Sequence, residues 1–451
     1  MAQISAFKGI LYNREKIKDI KDVVAPPYDV ISPQEQTSLY NRHENNVVRL
    51  ILGKELHGDT LENNRYTRSK AFFESWQRDG ILIRDNSPSL YIYAQEYPYL
   101  SDPNRAESFV KKKRIGFIAL SKIEDFGKGG IYPHENTLSK PKEDRLMLIR
   151  KCNANFSPIF GLFSDTSKAV DLILEDNMKQ NPLYDFLDDT EMRHTLWTIS
   201  ENMAIQTIIK EMNDKQIFIA DGHHRYETAI NYRNEMRGKE SPFTGDEPYN
   251  YVMMYFTNTE SEGLSILPIH RVVHNLKDFD RERMHEKVGK FFNIESFSFN
   301  GNRDEEMVRL KFFSEMKGRR EKGPVFGVYY GNNSYHLLTI KDEEIMDRFV
   351  TGSRPSIWKR LDVTILHTLL IEKTLGISDR NLREQNYITY TTNKDEAIKW
   401  VKDGKYQIAF FLNPTKIEDV QAIAKAGEKM PQKSTFFYPK LISGLVMNKL
   451  E

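Results

Sequence analysis

The stretch whose reading decides the fold is Ile217-Phe218-Ile219-Ala220-Asp221-Gly222-His223-His224-Arg225-Tyr226-Glu227-Thr228-Ala229. Its first four residues are apolar and predict a short buried strand. Asp221-Gly222 ends that strand, and a helix is predicted from about His224 to Met236. Strand, turn and helix in immediate succession is the building unit of an α/β protein. The turn is also suited to trap an anion. A helix start presents unpaired N–H groups and the positive end of the helix dipole. Gly222 lets the backbone turn and approach a ligand closely. His223 and His224 add donors, and Arg225 is able to grip a phosphate through two parallel hydrogen bonds. Asp221 falls at the carboxyl end of the strand, where open α/β sheets place reacting groups. A carboxylate there does nothing for phosphate binding alone. It suits proton removal from an attacking hydroxyl, or the holding of a metal ion. The plainer alternative is a helix start whose cations pair with surface acids.

The rest of the chain fits a mixed α/β pattern. Ser89 to Ala94, Arg114 to Leu120, Tyr251 to Phe256 and Leu264 to Val273 read as strands. Tyr66 to Asp79 has helical spacing. Ser32-Pro33-Gln34-Glu35 reads as an N-cap with proline at the first helical position. Beyond residue 275 the pattern changes. Residues 280–320 read as charged helix, Pro324 to Ile340 as a hairpin, and Asp362 to Leu375 as an amphipathic helix. We therefore expect a catalytic region over residues 1–275, with its phosphate-binding turn at 221–225. A C-terminal α/β region over residues 276–451 is expected to cover the cleft.

Two further strings carry candidate chemistry. Pro133 to Arg145 gathers His134, Glu135, Lys140, Lys142, Asp144 and Arg145. Its cations could meet several phosphate oxygens, and Glu135 or Asp144 could hold Mg²⁺, which takes a few carboxylates together with substrate phosphates. The alternative is a solvated charged loop leading into a helix from Lys142 to Lys151. Asn155 and Ser157, entering a strand, are candidates for substrate contact. Pro26-Pro27-Tyr28-Asp29 mounts Tyr28 and Asp29 after a rigid extended pair, or is an ordinary strand-end turn. The late string Met430 to Lys440 reads as a packed strand, or places Lys433, Ser434 and Thr435 at a shared cleft.

Composition removes several classes. With 65 Lys+Arg against 64 Asp+Glu, the formal charge of +1 gives no global footprint for nucleic acid or an anionic membrane. The single cysteine, Cys152, excludes an internal disulfide and cysteine-rich zinc sites. No apolar run approaches the ~20 residues that span a bilayer, and the first residues lack an apolar signal core. A cytoplasmic protein is expected. Neither the Gly-x-x-x-x-Gly-Lys-Ser/Thr phosphate loop nor Gly-x-Gly-x-x-Gly occurs.

At Asp221 to Ala229 the sequence resembles the ParB/sulfiredoxin superfamily, which grips nucleotide phosphates with a Gly-x-x-Arg turn at a helix start. Sulfiredoxins carry Gly-Cys-His-Arg there, whereas this chain has His223 where their cysteine would be. ParB proteins carry Gly-Glu-Arg-Arg followed by a DNA-binding helix-turn-helix, and no basic recognition helix follows residue 240. The Asp-Gly-x-His-Arg turn of free serine kinases matches position by position at Asp221, Gly222, His224 and Arg225. Ala25-Pro26-Pro27-Tyr28-Asp29-Val30-Ile31, Pro133-His134-Glu135, Lys142-Glu143-Asp144-Arg145 and Asp221 to Arg225, in this order, resemble a large prokaryotic family similar to pyrophosphate-dependent serine kinases.

The resemblance implies a ParB/sulfiredoxin-like core with a mixed sheet, elaborated at both ends. It implies phosphorylation of L-serine to O-phosphoserine by pyrophosphate, with Mg²⁺ and in either direction. Asp221, His223 and His224 would be catalytic. Gly222, Arg225, His134, Lys140, Lys142 and Arg145 would bind phosphate. Tyr28, Asp29, Asn155 and Ser157 would meet the substrate, and Glu135 and Asp144 the metal. An ATP- or ADP-dependent serine kinase, a ParB-like nucleotide switch and a phosphohydrolase are the alternatives. Expected partners are serine or phosphoserine and pyrophosphate, phosphate or a nucleotide, with no nucleic acid or membrane, in a monomer or homodimer.

Overall fold

The strand expected at the decisive stretch forms over Ile217–Asp221 and lies in a nine-stranded mixed sheet. The computed structural model describes residues 2–100, 109–240, 242–378, 381 and 386–451. In chain order, the strands of this sheet are β1 (Ile4–Ser5), β2 (Leu90–Leu100), β3 (Phe109–Lys122), β4 (Ile131–Tyr132), β5 (Ile159–Phe163), β6 (Tyr184–Leu187), β7 (Arg193–Ile199), β8 (Ile217–Asp221) and β9 (Tyr251–Asn258). Their order across the sheet is β4-β8-β5-β9-β3-β2-β7-β6, with β1 paired to β3. β8 runs parallel to β4, and β9 parallel to β5. β8–β5, β9–β3, β7–β2 and β7–β6 are antiparallel. The chain is thus of the α/β class, with a large mixed sheet.

Period-two alternation sorts the two faces of this sheet. Leu90, Ile92, Phe117, Ala119, Ile217, Ile219, Met254 and Phe256 join one apolar core. The helix α4 (Asn202–Met212) packs Ile205, Ile208 and Met212 into it, one stripe of an amphipathic helix. Each such side chain contributes roughly 1.5–3 kcal/mol on burial. The helix α5 (His223–Lys239), which follows β8, adds Tyr226 and Ala229. The intervening residues Tyr91, Tyr93 and Gln95 fall on the other face and are also buried.

Earlier helices are α1 (Pro33–Arg42), α2 (Arg65–Arg78) and α3 (Ser139–Cys152). Ser32 caps α1 in a full capping box: its hydroxyl accepts from the Glu35 N–H at 3.2 Å, and its own N–H donates to Glu35 Oε2 at 2.8 Å. Asn64 caps α2 by accepting from the N–H groups of Tyr66 and Thr67.

Two compact units divide the chain, Met1–Pro98 with Lys111–Leu264 and Pro439–Glu451, and Tyr99–Val110 with Ser265–Tyr438. The last thirteen-odd residues therefore return to the first unit. There they form a strap: Ser443 exchanges backbone hydrogen bonds with Ala25, Met447 with Ile10, and Asn448–Lys449 pairs with Ala154–Asn155.

The second unit holds an antiparallel six-stranded sheet in the order Phe292–Ser298, Ser334–Ile340, Val325–Tyr329, Ile408–Phe411, His270–Val273, Ile388–Thr391. The expected hairpin forms at Val325–Tyr329 and Ser334–Ile340. The charged stretch 280–320 is not one helix. The strand Phe292–Ser298 separates Arg281–Gly289 from Asn302–Arg319, and burial of Phe292 and Phe297 outweighs the local charge. The strand expected over Leu264 to Val273 splits into Ser265–Leu267 and His270–Val273, which serve different sheets. The Asp362 to Leu375 helix widens to π geometry over Leu366–Thr374. Among the described residues no helix is long and apolar enough to cross a membrane.

Candidate functional site

β8 delivers Asp221 to the end of the sheet, and the register against β5 shifts between Ile219 and Asp221. Gly222 follows with φ +93°, a left-handed conformation that costs glycine little. A Cβ at this position would also lie 2.9 Å from Arg225 Nη2 and 3.0 Å from its Nε. Glycine suits the turn, and its missing Cβ leaves room for the guanidinium folded back over it. As the N-cap residue of α5, Gly222 brings no side-chain hydrogen bond to the first turn.

Arg225 Nη2 donates to Asp221 Oδ2 at 2.9 Å, and Nη1 donates to the Pro158 carbonyl. Lys440, at the start of the C-terminal strap, donates its ammonium to Asp221 Oδ1. Each carboxylate oxygen thus carries one cation. Burial works to raise the Asp221 carboxyl, but Lys440 first and Arg225 next outweigh it and leave it at about 2. The Nε of Arg225 is buried and, among the described residues, has no hydrogen-bond partner.

That guanidinium lines a small cavity of about 60 Å³, together with Tyr28, Arg145, Asn155, Ser157 and Thr228 over an apolar floor that includes Ile51, Phe156 and Val252. Arg145 stacks its guanidinium 3.9 Å from the ring centroid of Tyr28 and donates from Nη1 to the Ile51 carbonyl at 2.8 Å. Burial, countered chiefly by Arg145, pushes the Tyr28 hydroxyl up to about 12, so it stays a donor. Asn155 Oδ1 accepts from the Met253 N–H at 3.2 Å, and Ser157 shares a 2.6 Å hydrogen bond with Ser443.

The histidines lie on both sides of the turn. His134 is fully buried, with its Nδ1 2.7 Å from the Ile219 carbonyl, which requires the proton on Nδ1. Burial pushes His134 down to about 4, although the Ile219 carbonyl and Asp221 pull the other way. Its backbone N–H donates to His223 Nε2 at 3.2 Å, and the two rings meet edge to face at 4.6 Å. His223 Nδ1 then faces Glu135 Oε2 at 3.8 Å. His224 Nε2 accepts from the Leu138 N–H at 2.9 Å. Burial lowers His224, while Asp29 and Glu227 oppose the shift.

The structure therefore gathers Asp221, Gly222, Arg225, Tyr28, Arg145, Asn155 and Ser157 around one turn and one cavity. It seats His134, Glu135 and His223 against that turn. Lys142 lies along α5, donating to Glu227 Oε2 at 2.8 Å, which also accepts from the Thr137 hydroxyl at 2.6 Å. Asp144 is engaged elsewhere: it accepts from Arg65 Nη2 at 2.6 Å, the Tyr66 hydroxyl at 2.7 Å and Arg145 Nε at 2.8 Å. Lys140 and Asp29 are exposed. Among the described residues no group of three or more His, Cys, Asp and Glu side chains is placed to hold a metal ion. The residue that sequence reasoning missed is Lys440. Its only signal was a lone lysine after Tyr438-Pro439, 219 positions from its partner.

The chain is an α/β protein whose mixed sheet carries a strand-end carboxylate, a helix start and two arginines at one place, an arrangement chemically suited to an anion. The chain belongs to the family described as a protein of unknown function (DUF1015), whose model matches residues 4–364. Lys440 lies beyond that range. No curated protein matches the chain. Among solved structures, the chain is similar to a free serine kinase in complex with AMP, at 13% identity over 68% of this chain and 83% of that one, with a TM-score of 0.32. It is also similar to a conserved hypothetical protein from Pyrococcus furiosus, at 13% identity over 70% and 91% of the two chains, with a TM-score of 0.32.

Proposed function

We propose that this protein transfers a phosphoryl group from pyrophosphate to the hydroxyl of free L-serine, giving O-phosphoserine and phosphate. The observation that carries the reading is the buried Nε of Arg225, unpartnered among the described residues, on the guanidinium that lines the cavity beside the start of α5. A buried donor without a partner is costly, and an anionic ligand relieves that cost. Arg145 on the same cavity adds a second guanidinium. The choice of pyrophosphate as donor follows the motif resemblance to pyrophosphate-dependent serine kinases. The choice of serine follows the Asp-Gly-x-His-Arg turn, whose residues match those of free serine kinases.

In this reading the diphosphate sits at the start of α5, met by its amide groups and Arg225. The serine Oγ attacks the near phosphorus, the bridging P–O bond breaks, and orthophosphate leaves. The hydroxyl proton passes to Asp221, whose basicity rises as its cations turn to the phosphate. Mg²⁺ would enter on the diphosphate, neutralising its oxygens, and Glu135, at the mouth of the turn, is the carboxylate proposed to hold it. Asp144, engaged by three donors, is not proposed for that role.

Phosphorus NMR on the purified protein with Mg²⁺, L-serine and pyrophosphate tests the reading. A phosphoserine resonance growing as pyrophosphate disappears is expected. Phosphoserine forming only with ATP or ADP would change the donor, and its absence with all three would overturn the reading.

A further inference from the structure

We propose that Lys440 is a phosphate-contacting catalytic residue of this site, and that Gln95 and Arg114 are positioning residues that fix where its ammonium lies. The proposal rests on the phosphoryl-transfer reading above. Lys440 belongs to the strap that returns to the first unit, and its ammonium holds one oxygen of Asp221 while Arg225 holds the other. A diphosphate at the start of α5 would compete with Asp221 for both cations, so the residue that neutralises the carboxylate at rest meets the ligand in the complex.

The Lys440 backbone is anchored from below. Gln95 Nε2 donates to the Lys440 carbonyl at 2.9 Å, and Gln95 Oε1 accepts from Arg114 Nη2. Gln95 and Arg114 are both wholly buried. The Arg114 guanidinium lies 4.5 Å from the ring centroid of Phe160, and Phe160 is the cross-strand partner of Asp221. The chain of contacts therefore closes: Asp221, Lys440, Gln95, Arg114, Phe160 and back to Asp221. Among the described residues no carboxylate pairs with Arg114, and its Nε and Nη1 have no hydrogen-bond partner. A buried cation so poorly satisfied is expensive to a fold. Its bond to Gln95 is what sets it apart from an apolar side chain packed on Phe160. It orients the Gln95 amide so that the oxygen faces inward and the N–H faces the Lys440 carbonyl.

The test is a double-mutant cycle on the full chain, read by calorimetric titration with pyrophosphate. Lys440→Ala is expected to weaken pyrophosphate at least tenfold. Gln95→Leu is expected to weaken it several-fold in the wild-type background and not at all in Lys440→Ala. Gln95→Glu, isosteric, keeps the acceptor for Arg114 and removes the donor to Lys440; it provides the same cycle should the leucine variant not fold. An unchanged affinity in Lys440→Ala would overturn the proposal, as would a Gln95 penalty of equal size in both backgrounds, the signature of a merely structural role. The acceptor reading fails separately. A cycle that holds while no phosphoserine forms retains Lys440 as an anion contact and removes serine. Phosphoserine at the wild-type rate in Lys440→Ala removes Lys440 and retains serine.

Discussion

Asp221 and Lys440 are 219 positions apart and share one ion pair, in which the lysine holds Oδ1 while Arg225 holds Oδ2. A strand-end carboxylate held between two cations is a poor base while they stay, and its carboxyl lies at about 2. An anion that draws the cations away restores its basicity. On the proposed reaction, the arrangement would couple binding of a phosphate donor to activation of the group that deprotonates the acceptor, and it makes Asp221 the first position to alter.

Asp221→Asn keeps size and removes the charge. If Asp221 takes the hydroxyl proton, the rate of phosphoserine formation should fall at least ~10²-fold, with pyrophosphate affinity retained or improved because two cations are released. Turnover near that of the wild type would move the role to Glu135 or Asp29.

Arg225→Lys retains charge but loses the fork. Arg225 reaches the Pro158 carbonyl and Asp221 with two nitrogens and lies over Gly222 with a third. A lysine ammonium cannot span all three places. Pyrophosphate affinity should drop about tenfold or more, and stability by about 1 kcal/mol. Equal affinity in the two proteins would show that only the charge matters.

His134 yields a pH dependence. Its folded value, about 4, lies below the ordinary 6.5, so between these limits the unfolded chain binds more protons. Stability should therefore be complete above pH 6.5 and decline as the pH falls toward 4, by up to about 3 kcal/mol from this group. His134→Gln should be less stable than wild type at pH 7, where the hydrogen bond to Ile219 is lost, and should close or reverse that gap at pH 4.5. Urea midpoints at the two pH values measure it; a constant gap would mean that His134 is not held neutral.

How much of this was legible follows from the range of each interaction. The β8–α5 unit was readable because strand, turn and helix starts are written in adjacent residues: Ile217 to Ala220, Gly222, and the run from His224. Ser32 with Glu35 was readable for the same reason. The stretch 280–320 misled because its many charges read as one helix, while Phe292 and Phe297, too few to set a period, place a strand there. The gathering of Tyr28, Arg145, Asn155 and Arg225 at one cavity depends on segments up to about two hundred residues apart, and only the resemblance grouped them beforehand. Lys440 was beyond reach. No local spacing relates it to Asp221, and the hydrogen bonds that place it come from Gln95 and from a strap paired with Ile10, Ala25 and Ala154.

The strap also predicts how the chain can be cut. The main body of the second unit, Ser265–Tyr438, is an insertion in the first. Its two ends leave side by side, since Ser265 and Tyr438 are direct partners in an antiparallel pair. Cα atoms so paired lie about 5 Å apart, a gap that two or three residues of about 3.3 Å each easily cross. Replacing Ser265–Tyr438 with a short Gly-Ser linker should leave a first unit that folds, because the strap still reaches Ala25, Ile10 and Asn155 and the sheet loses no strand. Ending the chain at Leu264 should not, because it removes those pairings and leaves Asp221 with Arg225 alone. Thermal denaturation compares the two: a cooperative transition in the linker protein and none in the truncated one is expected. A cooperative transition in both would mean that the strap contributes little to the fold, leaving the placement of Lys440 as its reason for being there.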